Sequence, residues 1–166
     1  MGSTKFIMVP WINKENAESI LETVQKSDAN VLCGHLELKG FEMMKGQLCT
    51  HGLDKDLFSQ FEQVWSGHFH HPSHHGNIQY LGAPYEMTWS DYQGRRGFHV
   101  FDTETRNLER HDNPFQVFHK IEYDDADMTI DDVANLDTTN IKDAYIKVIV
   151  KNRTNPYIHD LFLNRS

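Results

Sequence analysis

The side chains of this sequence best suited to chemistry are imidazoles. The chain has 11 histidines in 166 residues, and five of them (His68, His70, His71, His74 and His75) fall within eight positions. Ser66-Gly67-His68-Phe69-His70 follows a short apolar run, Gln63 to Ser66, that reads as a strand. In extended backbone His68 and His70 point to one side, with Cα atoms roughly 6.6 Å apart. Two imidazoles so placed serve one metal ion, or one each of two ions roughly 3.5 to 4 Å apart. His35 repeats the pattern: an apolar strand, Gly34, then a histidine where the strand stops. Ligands of an α/β sheet gather outside the carboxyl ends of its strands, so two such ends in one sheet would aim their histidines into one crevice. Three neutral imidazoles suit manganese, iron or zinc.

The elements that must position these residues follow from the apolar pattern. Phe6 to Val9 is a buried strand stopped by Pro10. Asn13 caps a helix over about 14–27, whose Ala17, Ile20, Leu21 and Val24 share one face. Asn30 to Gly34 is a second strand, and strand, helix, strand is the signature of a sheet covered by helices. A short helix fits 54–61, with Leu57, Phe58 and Phe61 inward. From Asn77 the period changes to strands with tight turns, over 77–81, 97–103, 108–111 and 115–123, and this half reads as antiparallel. Thr103 to Asn107 makes a hairpin loop. A strong strand, Ala144 to Val150, precedes a short tail. Phe41, Phe61, Trp65, Trp89, Phe98 and Phe101 are expected in the core.

Composition bounds the function. With 39% hydrophobic and 24% charged residues the chain is an ordinary globular domain, and a mean hydropathy of -0.61 leaves no room for a membrane segment. The net charge of -8 argues against nucleic-acid binding by a basic patch alone. Nearly all of that charge lies in residues 122–143, where eight acids face one lysine. That stretch reads as an acidic linker or a short exposed helix. Cys33 and Cys49 allow at most one bridge, and a reduced, cytoplasmic protein is expected.

Further motifs carry a resemblance. Pro10-Trp11, Gly34-His35-Leu36-Glu37-Leu38-Lys39-Gly40-Phe41, Trp65-Ser66-Gly67-His68-Phe69-His70, Tyr80-Leu81-Gly82-Ala83-Pro84, and Arg96-Gly97-Phe98 through Phe101-Asp102-Thr103-Glu104-Thr105 stand out. Together they resemble the latter part of the nuclease subunits of tailed-phage recombination endonucleases. Those subunits are SbcD-type DNA-repair nucleases within the calcineurin-like metallophosphoesterases. The resemblance implies an α/β fold: part of a metallophosphoesterase β-sandwich with flanking helices, the N-terminal half of that fold missing. It implies a manganese-dependent phosphodiesterase acting on DNA, two Mn2+ ions in the complete enzyme, an SbcC-type coiled-coil ATPase partner, and a dimer in an infected bacterial cell. By resemblance His35 and His68 match ligands of one metal and His70 a ligand of the other. His51 falls at the family's His-Gly-Leu step near the cleft. With Arg95 and Arg96 it is a candidate for contacting DNA phosphate, although all three also read as plain surface. His71, His74 and His75 have no family counterpart and read as a solvated turn.

The departures matter as much. Asp-x-His, Gly-Asp-x-x-Asp and Gly-Asn-His-Asp/Glu, which supply the family's bridging aspartate, asparagine ligand and catalytic histidine, do not occur in this sequence. A chain without them is expected to be inactive alone. The implied organisation is residues 1–121 as the C-terminal half of a metallophosphoesterase domain, 122–143 as the acidic linker, and 144–166 as the start of a truncated capping domain. The alternative is a non-catalytic interaction module that complements a separate N-terminal half or scaffolds the ATPase. A stand-alone three-histidine zinc or iron site is the third reading.

Overall fold

The computed structural model describes residues 3–44 and 46–165. It divides into two compact units, Met1–Met87 with Gln93–Pro114, and Thr88–Tyr92 with Phe115–Ser166. The first unit is mixed α/β. Strand β1 (Phe6–Val9), helix α1 (Ala17–Gln25) and strand β2 (Val31–Gly34) form the expected unit, followed by β3 (Glu42–Met44), β4 (Gln47–Leu48), β5 (Gln63–Ser66), β6 (Ser73–His75) and β7 (Ile78–Tyr80). One five-stranded sheet runs in the order β1-β2-β5-β7-β6; β3 and β4 pair separately as an antiparallel ribbon. The first four strands of the sheet are parallel, and only the edge strand β6 runs against its neighbour.

The interior strand β2 is covered on both faces. Its consecutive Val31 and Leu32 are fully buried, the continuous apolar reading of a parallel strand, whereas burial alternates along β5, where Val64 is fully buried. Leu32 and Val64 join Val24 of α1, Leu36, Leu38, Phe41, Phe58, Phe61, Phe69 and Tyr80 in one core. Each such side chain contributes roughly 1.5–3 kcal/mol on burial.

Helix α1 is shorter than the periodicity predicts. The Asn13 carboxamide accepts from the amides of Glu15 and Asn16 while Asn16 Oδ1 accepts from the Asn13 amide, so residues 13–16 are held in a turn ahead of the helix. The expected helix over 54–61 is a single 3-10 turn, Lys55–Phe58, capped by the Asp54 side chain. The antiparallel hairpin of β8 (Gly97–Phe101) and β9 (Leu108–Asp112) is present as expected, with the Asp102 carboxylate accepting from the amides of Glu104 and Thr105 in its loop. Two aromatics expected inside are not: Phe98 is 57% exposed, stacked on His111, and Trp89 is 38% exposed.

The second unit holds β10 (Phe118–Asp124), α2 (Ile130–Ala134), β11 (Tyr145–Asn152) and α3 (Pro156–Arg165). β10 and β11 pair in parallel, which corrects the expectation of an antiparallel second half. Residues 125–144 provide the crossover that parallel pairing requires. The acidic stretch is part of this unit, its carboxylates serving as local acceptors. Asp132 closes a capping box with Thr129 at the start of α2, Asp137 accepts from the Thr139 amide, and Asp124 accepts from the Asn152 side chain. Tyr123, Val133, Ile158 and Phe162 form the unit's core. Among the described residues no helix is long and apolar enough to cross a membrane.

Candidate metal centre

The adjacency of β1, β2 and β5 puts the chemistry-bearing residues together. Trp11 lies just past the end of β1, His35 follows β2, and Gly67 to His70 follows β5, so all three leave the sheet at its carboxyl edge. The His35 and His68 rings meet edge to face with centroids 4.9 Å apart, and the Trp11 indole lies 5.0 Å from His35 and 5.6 Å from His68. A cavity of about 170 Å³ opens here, lined by Trp11, Ile12, His35, Leu36, Glu37, Gly52 and Leu53.

Two buried hydroxyls fix the loop that carries His35. Ser66 Oγ accepts from the Leu36 amide at 2.9 Å and donates to the Leu36 carbonyl at 2.9 Å. Tyr80 Oη accepts from the Leu38 amide at 3.0 Å and donates to the same Leu36 carbonyl at 2.8 Å. Burial holds the Tyr80 phenol well above its ordinary pKa, so it stays a neutral donor.

His68 is half-buried, and its Nδ1 is enclosed with no hydrogen-bond partner. Burial lowers the His68 pKa below the ordinary imidazole value, the charges of His35 and His70 push the same way, and Glu37 opposes them. A neutral ring with an enclosed, unpaired nitrogen keeps a lone pair for a ligand, and imidazole is a donor type that suits transition metals. His70 is set by its backbone: its carbonyl accepts from the Ala83 amide at 3.0 Å and from the Arg96 guanidinium.

The other candidates fall differently. Arg96 is 3% exposed and spends a donor on the His70 carbonyl, which makes it a residue that positions His70 rather than one that meets a phosphate. Arg95 is exposed and paired with Asp112 at 2.8 Å. His51 bonds Glu37, Nε2 to Oε1 at 2.7 Å. His74 and His75 are exposed as expected but lie on strand β6 rather than in a turn, with His75 Nε2 2.8 Å from Lys55 Nζ. Cys33 and Cys49 are both free thiols.

Glu37 is the residue that motif reading passed over. Its Oε2 lies 4.0 Å from His68 Nε2 while Oε1 contacts His51, so the carboxylate joins the histidine pair to the loop after β4. The signal was local: two residues beyond His35 in an extended run, Glu37 shares its side.

No protein-family model matches the chain. Exonuclease subunit 1 of Enterobacteria phage T4 is 40% identical over 116 residues, 70% of this chain and 34% of that protein. The SbcD component of nuclease SbcCD from Staphylococcus epidermidis is 27% identical over 101 residues, and that from Staphylococcus saprophyticus 25% over 117, matching 57% and 63% of this chain. The chain spans 34% of the phage protein and 27% and 31% of the staphylococcal ones, about a third of each. Over the matched residues the chain is therefore a relative of a phage exonuclease subunit and of SbcD-type nucleases, the kinship its Gly-His and Gly-His-Phe-His motifs resemble.

Proposed function

We propose that this chain is part of a metal-dependent DNA nuclease of recombination and repair, hydrolysing phosphodiesters with Mn2+ in the cytoplasm of an infected bacterium. The observation that carries the reading is the convergence of His35 and His68 at adjacent strand ends, with Nδ1 of His68 enclosed and unpaired. The kinship with the phage exonuclease subunit and the SbcD-type nucleases supports it. His35 and His68 would hold one ion and His70 the second. When bound, such a metal pair supplies the Lewis acid and the activated water for attack on the scissile phosphate. The chain's own contribution is to hold three imidazoles at a sheet edge and, through Ser66, Tyr80 and Arg96, to fix the backbone beneath them.

The fold is proposed as part of a calcineurin-like metallophosphoesterase sandwich, the remainder continuing from the β1 edge. Strand β1 is an outer strand of its sheet, with Met8 71% exposed. That edge also favours a second reading, in which the chain complements a separate N-terminal half and engages an SbcC-type ATPase. Residues 144–166 are proposed as the start of the capping module. Without the family's carboxylate and asparagine motifs the chain alone is expected to bind metal and leave DNA intact.

Calorimetry with Mn2+ on the purified chain and on His68→Ala, with DNA cleavage assayed in the same samples, tests this. Binding lost in the variant, without cleavage by either, is the expected result. Metal-dependent cleavage by the chain itself would refute the inactivity, and Mn2+ binding unchanged in His68→Ala would refute the site.

A further inference from the structure

A second group of ligand atoms lies beside the histidine pair. A carboxylate oxygen of Glu37, the Cys49 sulfur and a ring nitrogen of His51 all lie within 4.8 Å of one another. Glu37 Oε1 is 2.7 Å from His51 Nε2 and 3.8 Å from Cys49 Sγ. His35, His68 and His70 do not form such a group among the described residues.

The backbone builds this cluster. The Leu53 amide donates to the Glu37 carbonyl at 2.8 Å, Lys39 to Leu53 at 3.1 Å, Gly40 to Cys49 at 2.8 Å, and Cys49 to Phe41 at 2.8 Å. Gly52 makes the approach possible: its φ is +94°, and a Cβ there would stand 2.5 Å from the Glu37 carbonyl oxygen. Cys49 is 2% exposed, so its sulfur is held in place by the core, while the His51 ring sits at the surface where an ion can enter.

We propose that Glu37, Cys49 and His51 form a binding site for a zinc-class divalent cation, separate from the histidine pair. The donor set decides the metal. One sulfur, one imidazole and one carboxylate select a borderline-soft ion such as Zn2+ over Mn2+. Metal-to-ligand distances of about 2.0–2.3 Å in a tetrahedron separate ligand atoms by roughly 3.3–3.6 Å. The 2.7 and 3.8 Å contacts of Glu37 straddle that range, and the Cys49 sulfur and His51 ring nitrogen lie within 4.8 Å, so shifts of up to roughly 1 Å complete the site. The Cys49 thiol now donates to the His51 carbonyl at 2.9 Å; binding releases that proton to solvent as the thiolate takes the metal. Three protein ligands leave a fourth position for water. The proposal stands apart from the nuclease reading.

Co2+ is the probe. Titrated into the purified full chain under reducing conditions, one equivalent gives a thiolate-to-cobalt charge-transfer absorption that Zn2+ displaces and equimolar Mn2+ does not. Cys49→Ala abolishes the band, while Cys33→Ala and the double variant His35→Ala with His68→Ala retain it. His51→Ala and Glu37→Gln weaken cobalt binding at least about tenfold. Circular dichroism reports folding; should Cys49→Ala not fold, Cys49→Ser and the surface change His51→Ala decide. No charge-transfer band in the unaltered chain, a band that survives loss of Cys49, or one lost with Cys33 overturns the proposal.

Discussion

The loop that carries His35 and Glu37 rests on a shared acceptor, and removing its two donors in turn gives a prediction with a definite sign. The Leu36 carbonyl accepts from both Ser66 Oγ and Tyr80 Oη, while the Leu36 and Leu38 amides each have one of these hydroxyls as acceptor. Ser66, Leu36, Leu38 and Tyr80 are all at most 1% exposed, so water does not replace a lost partner without disturbing the core. Ser66→Ala strands the Leu36 amide and Tyr80→Phe strands the Leu38 amide, each costing about 1–3 kcal/mol. In either single variant the Leu36 carbonyl keeps one donor; only the double variant strands it. The double variant should therefore lose more than the sum of the singles, by about 1 kcal/mol or more. Urea unfolding by tryptophan emission measures this, in a Trp89→Phe background so that Trp11 and Trp65 report on the first unit alone. Losses that add to within about 0.5 kcal/mol would refute the shared-acceptor account.

Gly52→Ala forces a side chain onto left-handed backbone against the Glu37 carbonyl oxygen. It should destabilise the first unit by roughly 1–3 kcal/mol from strain alone and weaken cobalt binding; unchanged unfolding and binding would mean the loop is not held as described. In the second unit, burial raises the Asp125 pKa, but the amides of Thr154 and Asn155 and the hydroxyls of Thr154 and Tyr123 outweigh it and hold the carboxyl far below the usual range. An unfolded aspartate titrates near about 3.9, so this contribution is fully present above that value and is lost as pH falls toward the folded one. The stability gap between the natural chain and Asp125→Asn should be wide at pH 7 and close toward pH 2; a gap independent of pH would remove Asp125 from the account.

How much of this was legible in the sequence depends on the range of the forces involved. The strand, glycine, histidine pattern at His35 and His68 was readable because parallel strands end at a common edge, and β2 and β5 are direct neighbours with Gly34 opposite Ser66. Strand β6 was missed because Ser73-His74-His75 has no apolar alternation. Pairing with β7 through Gly76 and Asn77 makes it a strand, and Gly-Asn is itself a hairpin signal. Helix α3 had a readable start in Asn155-Pro156, with Asn155 Oδ1 accepting from the Tyr157 amide. The parallel pairing of β10 with β11 was not legible, since either direction satisfies the same apolar pattern and only the long crossover decides between them.

The site divides along the same line. The placement of His35, His68 and Glu37 follows from strand ends and from alternation along a few residues, so the juxtaposition of the first two was readable and that of the third could have been. Cys49 and His51 reach Glu37 only because Leu38 and Leu53 form a bridge and Gly52 lets two backbones touch, a contact between segments that carry no periodic signal. Glu37 is where the two kinds of information meet: Oε2 faces His68 at 4.0 Å and Oε1 faces His51 at 2.7 Å. A change at His51 should therefore be felt at the histidine pair through one carboxylate. Mn2+ affinity at His35 and His68 should shift in His51→Ala far more than in Arg95→Ala, whose partner Asp112 lies on strand β9. Equal shifts in the two variants would show that Glu37 does not couple the sites.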